Sequence, residues 1–354
     1  MNEPTPTAPS NDVSASGNQT SNGLFVGPHG LRPFWALLLY LAILLTPVML
    51  FAVAAHFAKA GGAYAASQRS AESHGMSPLT SIVAEWLQFA FVFFATWIMS
   101  RIESRSVLDY GLARNPRRSR WLVSGAVVGL AAQSLLILIL WNTHHLAFAG
   151  LLLRPSAALG YGLLWAFAFI GVAFFEEFLF RGYLQFTLMR CVAGVVRRIS
   201  RNSRHAEAIG FWAAAVLISF GFGSVHGLNP GESPIGLLCA GCAGLMFAFS
   251  LWRTGSLWWA IGLHAAWDWA QSFLFGVADS GALSADRLMS THPVGSPLLS
   301  GGATGPEGSI FVLPVMVLIT LVAVLTLPRT DRSFLIDSPH EEPQLSPEVN
   351  SAQG

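Results

Sequence analysis

Two adjacent carboxylates and an arginine stand in an otherwise apolar run, Phe174-Phe175-Glu176-Glu177-Phe178-Leu179-Phe180-Arg181. An ionisable group at membrane depth is costly and marks a functional site by default. Residues three or four apart share a helix face, so Glu177 can pair with Arg181, while Glu176 is rotated about 100° away. Glu176 is therefore the freer carboxylate and the candidate general base. Two further apolar stretches carry polar groups, Phe222-Gly-Ser-Val-His226 and His264-Ala-Ala-Trp-Asp268. In the second, the i, i+4 spacing stacks carboxylate and imidazole on one face, which orients a catalytic or metal-bound histidine. Each group alone reads as a hydrogen-bonded packing residue. Contributed together by three helices, they point to one water-holding cavity, because convergence lowers the desolvation cost of each.

Two chemistries fit these residue types. Glu176 can activate a water as general base, with His226, His264 and Asp268 assisting. Alternatively, the imidazoles of His226 and His264 with a carboxylate can ligate zinc, which then activates the water. The sequence permits both, and the somewhat different depths of the two histidines tilt the reading toward a metal-free site.

The elements that must position these groups follow from composition. Hydrophobic residues make up 53% of the 354-residue chain, charged residues 11%, and mean hydropathy is +0.52, which predicts an all-α polytopic membrane protein. A span needs about 20 apolar residues, and eight segments meet that length in one bundle: 34–55, 79–100, 121–141, 159–180, 208–227, 235–252, 257–276 and 309–327. Counting basic residues by side gives sixteen on one, among them Arg32, Arg117 and Arg253, against Lys59, Arg69, Arg154 and Arg287 on the other. Basic loops stay inside, so both termini are expected in the cytoplasm.

Residues 1–30 carry no Lys or Arg, lack the basic start of a signal peptide and read as a disordered tail. The membrane domain is expected over 31–328, its motif core over 160–276, and a polar, disordered C-terminal tail over 329–354. The three cysteines Cys191, Cys239 and Cys242 offer no disulfide framework. Cys239 and Cys242 lie beside a stripe of small residues, Gly236, Ala240 and Gly244, that reads as helix packing, as does Gly125-x-x-x-Gly129. Glu85 is expected to be structural, and the Gly- and Ser-rich segment 277–308 a flexible cover or a linker. A net charge of +1 argues against a nucleic-acid partner.

Glu176-Glu177-x-x-x-Arg181, Phe222-x-x-x-His226 and His264-x-x-x-Asp268, in this order, resemble the three motifs of the CPBP intramembrane endopeptidases, the CAAX prenyl protease and bacteriocin-processing family. The resemblance covers residues 160–276 and implies a membrane endopeptidase. In such an enzyme Glu176 activates a water, His226 and His264 assist it, Asp268 supports them, and Glu177, Arg181 and Phe222 hold the site in shape. Family members have been named metallopeptidases, so zinc is a possible cofactor. A bacterial plasma membrane and a membrane-associated protein or peptide substrate are the implied setting. Where the family's prenyl-processing branches carry Asn, this chain has Asp268, which removes an amide donor. Two other classes would use the same groups: a proton-coupled transporter with a buried relay, and a catalytically silent membrane scaffold. No internal repeat supports the former.

Overall fold

The computed structural model describes residues 24–27, 30–57, 62, 75–113, 116–200, 205–229 and 231–329. The expected tails fall almost wholly outside them, as do Lys59, Arg69, Arg114, Arg201, Arg204 and Arg332. The described chain is a helical bundle: α1 (Pro33–Phe57), α2 (Pro78–Ile102), α3 (Arg118–Asn142), α4 (Pro155–Glu177), α5 (Gln185–Ile199), α6 (Ala206–His226), α7 (Pro234–Thr254), α8 (Trp258–Trp269) and α9 (Val312–Thr326). Proline opens α2, α4 and α7, where its missing N–H costs nothing. Gly255, in the left-handed region at φ 65°, ends α7.

The chain is an all-α polytopic membrane protein, and six of its helices are long and apolar enough to cross a bilayer: 33–54, 78–102, 118–142, 155–199, 206–228 and 234–254. The seventh and eighth expected spans are shorter. Helix α8 and the π-helical turn Ala270–Leu274 that extends it reach from Trp258 to Leu274, and α9 has 15 residues. The fourth span outruns its expected end. Helix α4 continues through a π-helical segment, Phe178–Leu184, into α5, so that Arg181 lies inside a continuous helical rod rather than at its end.

Helices α3 and α8 touch backbone to backbone. A Cβ on Gly125 would lie 2.2 Å from the Trp259 carbonyl oxygen, one on Gly129 2.3 Å from that of Leu263, and one on Gly262 2.1 Å from that of Leu122. Small residues at these three positions let α8 sink into the bundle, which carries His264 and Asp268 to its centre. On α8, Trp259 to Ala265 are all buried.

The two ends of the bundle differ. At the arginine-rich end, Glu103 is buried and accepts hydrogen bonds from Tyr110 (2.7 Å), Tyr183 (3.0 Å) and Arg190 (3.1 Å). Arg253 donates to the Val324 carbonyl at 2.8 Å. The opposite end is closed by an antiparallel pair of strands, β1 (Leu146–Leu151) and β2 (Met289–Pro293), registered from Leu146 opposite Pro293 to Leu151 opposite Met289. The segment expected to be a flexible cover or linker is thus built into the fold. It carries β2 and the single-turn helix Pro297–Ser300, and it bridges Met76 through Ser284.

Candidate active site

Helices α4 and α8 meet at the carboxylate pair. Glu177 and Arg181 are wholly buried, with Arg181 Nη1 3.1 Å from Glu177 Oε1. The same Glu177 oxygen lies 3.0 Å from His264 Nδ1, so one carboxylate ties the first motif to the third. The guanidinium is packed by rings, its centre 4.2 Å from the Phe222 centroid and 5.3 Å from that of Phe247. Aromatic faces supply attraction where no water can solvate the cation. Space for it comes from the small-residue stripe of α7, since a Cβ on Gly244 would lie 2.6 Å from Arg181 Nη2. That stripe does more than pack helices. Gly236, Cys239 and Ala240 line the cavity described next, and Gly244 seats the arginine.

Glu176 turns the other way, into a cavity of about 920 Å³. His226, His264 and Asp268 line the same cavity, with Phe222 and Phe247 in its wall. His264 Nε2 is 3.6 Å from Glu176 Oε2 and 3.4 Å from Asp268 Oδ2. Its ring stacks on Phe247 with centroids 5.1 Å apart. Both ring nitrogens therefore face carboxylate oxygens, and a ring carrying hydrogens on both satisfies them. His226 lies at the far end of α6, where its Nδ1 donates to the Phe222 carbonyl at 2.9 Å, a bond that turns Nε2 away from its own helix.

A zinc site is not laid out by these side chains. Among the described residues, no group of three or more His, Cys, Asp or Glu is arranged to hold a metal ion. His264 Nδ1 is taken by Glu177, so the imidazole nitrogens that a metal would need are His264 Nε2 and His226 Nε2, two of the four ligands that zinc ordinarily takes.

The cavity also recruits groups outside the three motifs. Glu85 of α2 lines it, where it accepts from Gln88 at 3.2 Å. From the segment after α8 come Asp279 and Glu307. Burial pushes the Asp279 carboxyl up to about 6, opposed by its hydrogen bond from Ser272 and by the charge of His264. Burial likewise holds Glu307 well above the usual carboxylate range. The Gly- and Ser-rich composition of 277–308 concealed both. The usable signal was an aspartate five residues beyond the last turn of the motif helix, read as part of that helix's end rather than of a linker.

The cavity is also lined by Met76, by Leu228, Asn229 and Glu232 of the turn between α6 and α7, and by residues 279–283. All belong to the end of the bundle away from the arginine cluster.

Comparison with known proteins agrees with the motifs. No curated protein and no solved structure gives a significant match to the chain. Residues 158–270, which span the helices bearing all three motifs, match the family model described as type II CAAX prenyl endopeptidase Rce1-like. The matched segment carries the membrane-embedded site, and what it is similar to is the Rce1-like CAAX endopeptidase domain.

Proposed function

We propose that the chain hydrolyses an internal peptide bond of a membrane-associated substrate with Glu176 as general base and no metal in the reacting centre. The observation that carries this reading is the division between the two glutamates. Glu177 is committed to Arg181 and His264 and is wholly buried, whereas Glu176 presents its carboxylate to the cavity.

The proposed sequence begins with a water held against Glu176. Glu176 takes one of its protons as the oxygen attacks the carbonyl carbon, and the carbonyl electrons move onto oxygen to give a tetrahedral intermediate. His264, set between Glu177 at Nδ1 and Glu176 and Asp268 at Nε2, fixes the direction of the carboxylates beside it. His226 offers Nε2 to the attacking water as acceptor, or to the oxyanion once protonated. Asp268 holds His264 from its own helix, and Arg181 and Phe222 lock Glu177 behind the reacting groups.

Residues 279–283 and the turn between α6 and α7, which line the cavity, share their end of the bundle with Arg154 and Arg287, and most other described arginines lie at the opposite end. By the distribution of basic residues, both termini are cytoplasmic and the substrate is approached from the other side of what we read as a bacterial plasma membrane.

The test is a quenched-fluorescence peptide assay in proteoliposomes, with metal content measured on the same sample. Glu176→Gln keeps shape and hydrogen bonding and should lower turnover by about 10²–10⁴-fold, the usual worth of a positioned base, with unchanged melting. Chelators should leave the wild-type rate intact. Activity retained in Glu176→Gln, or a chelated enzyme restored by zinc alone, would overturn the assignment.

A further inference from the structure

The sequence of steps above does not assign the acid that protonates the departing amine. When the tetrahedral intermediate collapses, that amine must be protonated, because an amide anion is too poor a leaving group. Glu176 carries the water's proton on the side of the attacking oxygen, and His264 is held between three carboxylates, so a separate acid on the leaving-group side would spare Glu176 the move.

We propose that Asp279, delivered by the segment after α8, is a further catalytic residue of this peptidase: the acid that protonates the departing amine. The inference rests on the reading of Glu176 as base. Its ground is how Asp279 is held. It lines the same cavity as Glu176, His226, His264 and Asp268. The helical turn that prolongs α8 grips it, with Ser272 Oγ donating to Asp279 Oδ2 at 2.9 Å and Gln271 Nε2 donating to the adjacent Ala278 carbonyl at 2.9 Å. Gln271 is itself held by buried Gln133 of α3 at 2.9 Å. Asp279 and Ala282 exchange backbone hydrogen bonds of 2.8 Å, which closes a tight turn. Two glycines leave this turn no freedom. Gly276, at φ 64°, and Gly305, at φ 111°, would bring a Cβ to 1.8 Å from the Met289 oxygen and 2.1 Å from that of Ala278. The carboxylate is thus tied to the turn that prolongs the helix bearing His264 and Asp268, which keeps a catalytic group in register with its partners.

Its surroundings suit the role. The ionisable groups that face Asp279 are Glu176, His226, His264, Asp268 and Glu307, and burial among them brings its titration to about 6. It therefore exchanges a proton readily near neutral pH. The step balances: the Asp279 O–H bond breaks as the amine N–H bond forms, the C–N bond breaks with its electrons going to nitrogen, and the carbonyl re-forms. Glu176 then passes the water's proton back to Asp279 through solvent in the cavity, so both groups return to their starting state.

The experiment compares two substrates of one sequence in proteoliposomes, a peptide amide and an aryl ester whose phenolate departs without a proton. Asp279→Asn should slow the amide by about 10²-fold or more in kcat, the lower range for a general acid, and leave ester turnover within about threefold. The fall in wild-type amide turnover as pH rises through about 6 should vanish in the variant. Asp279→Glu, which keeps the acid, should recover part of the amide rate. Equal loss on amide and ester, or no loss on either, overturns the role of Asp279. A wild-type protein that cleaves neither substrate, or a Glu176→Gln variant that cleaves both, fails the underlying reading instead.

Discussion

Removing the charge of Glu177 tests how the buried centre is held. Glu177 and Arg181 are both wholly excluded from solvent, and Arg181 Nε and Nη2 have no hydrogen-bond partner even in the intact protein. The ion pair is therefore the main compensation for the guanidinium, with the Phe222 and Phe247 rings a lesser one. Glu177→Gln keeps the volume and an acceptor oxygen but strands the cation, at a cost of about 3–5 kcal/mol for a buried pair broken on one side. Against a total of about 5–15 kcal/mol for an ordinary domain, that is a large fraction. Arg181→Met leaves Glu177 with His264 as its remaining partner and should cost less.

The double variant separates this account from simple packing. With both charges gone, no buried ion remains unpaired, so Glu177→Gln with Arg181→Met should cost well under the sum of the two single changes. Activity should not recover alongside stability, because His264 Nδ1 has lost its carboxylate at 3.0 Å. Reversible unfolding in mixed detergent micelles measures the first quantity and peptide turnover the second. Additive destabilisation in the double variant would refute the pairing argument, and recovery of turnover would show that Glu177 matters to His264 only as shape.

Gly129→Leu should prevent α8 from seating against α3 and abolish both folding yield and activity, since even a Cβ there lies 2.3 Å from backbone; a variant that expresses and melts like the wild type would show the helices can slide apart. Asp279→Asn should be more stable than wild type above pH 6 by about 3 kcal/mol, which is what raising a carboxyl from 3.8 to about 6 amounts to, and no different below about pH 4. The sign follows because folding opposes ionisation of Asp279, so the wild type loses stability as pH rises from its unfolded value through the folded one; denaturation curves at pH 4 and 7.5 check it. Cysteine labelling at positions 117 and 154 should mark opposite faces of the membrane, and labelling of both from one side would overturn the proposed orientation.

The motifs were legible because a charge in lipid is expensive wherever it stands. Glu176, Glu177, Arg181, His264 and Asp268 announce themselves against Phe, Leu and Trp, and helical spacing alone says that Glu177 and Arg181 can meet. Gly125 and Gly129 were legible as a contact face for the same kind of local reason. Span lengths were not. Helix α8 is surrounded by α3, α4 and other protein, so it need not meet lipid along a full bilayer thickness, and apolar composition there reports protein contact as well as lipid. The π-helical passage from α4 to α5 left no signature either, beyond Gly182, whose Cβ would lie 2.9 Å from the Tyr110 carbonyl. Asp279 and Glu307 were hidden because a segment's composition speaks of its own flexibility. Their order comes from side chains of other segments: Ser272 bonds Asp279, beside a Gln271 that Gln133 holds, and Ser280 donates to Glu307.

Charge balance explains why adjacent glutamates serve opposite ends. Behind the site, Glu177 and Arg181 cancel, which leaves His264 facing two carboxylates, Glu176 and Asp268, across 3.6 and 3.4 Å. Asp268 is anchored one helical turn from His264 on the same rod, while Glu176 belongs to a different helix and lines the cavity. Of the two, Glu176 is therefore the carboxylate not held from the imidazole's own helix. The order Glu176-Glu177 relative to Arg181 thus places one carboxylate in the salt bridge and leaves the other to the cavity, the division on which the proposed mechanism rests.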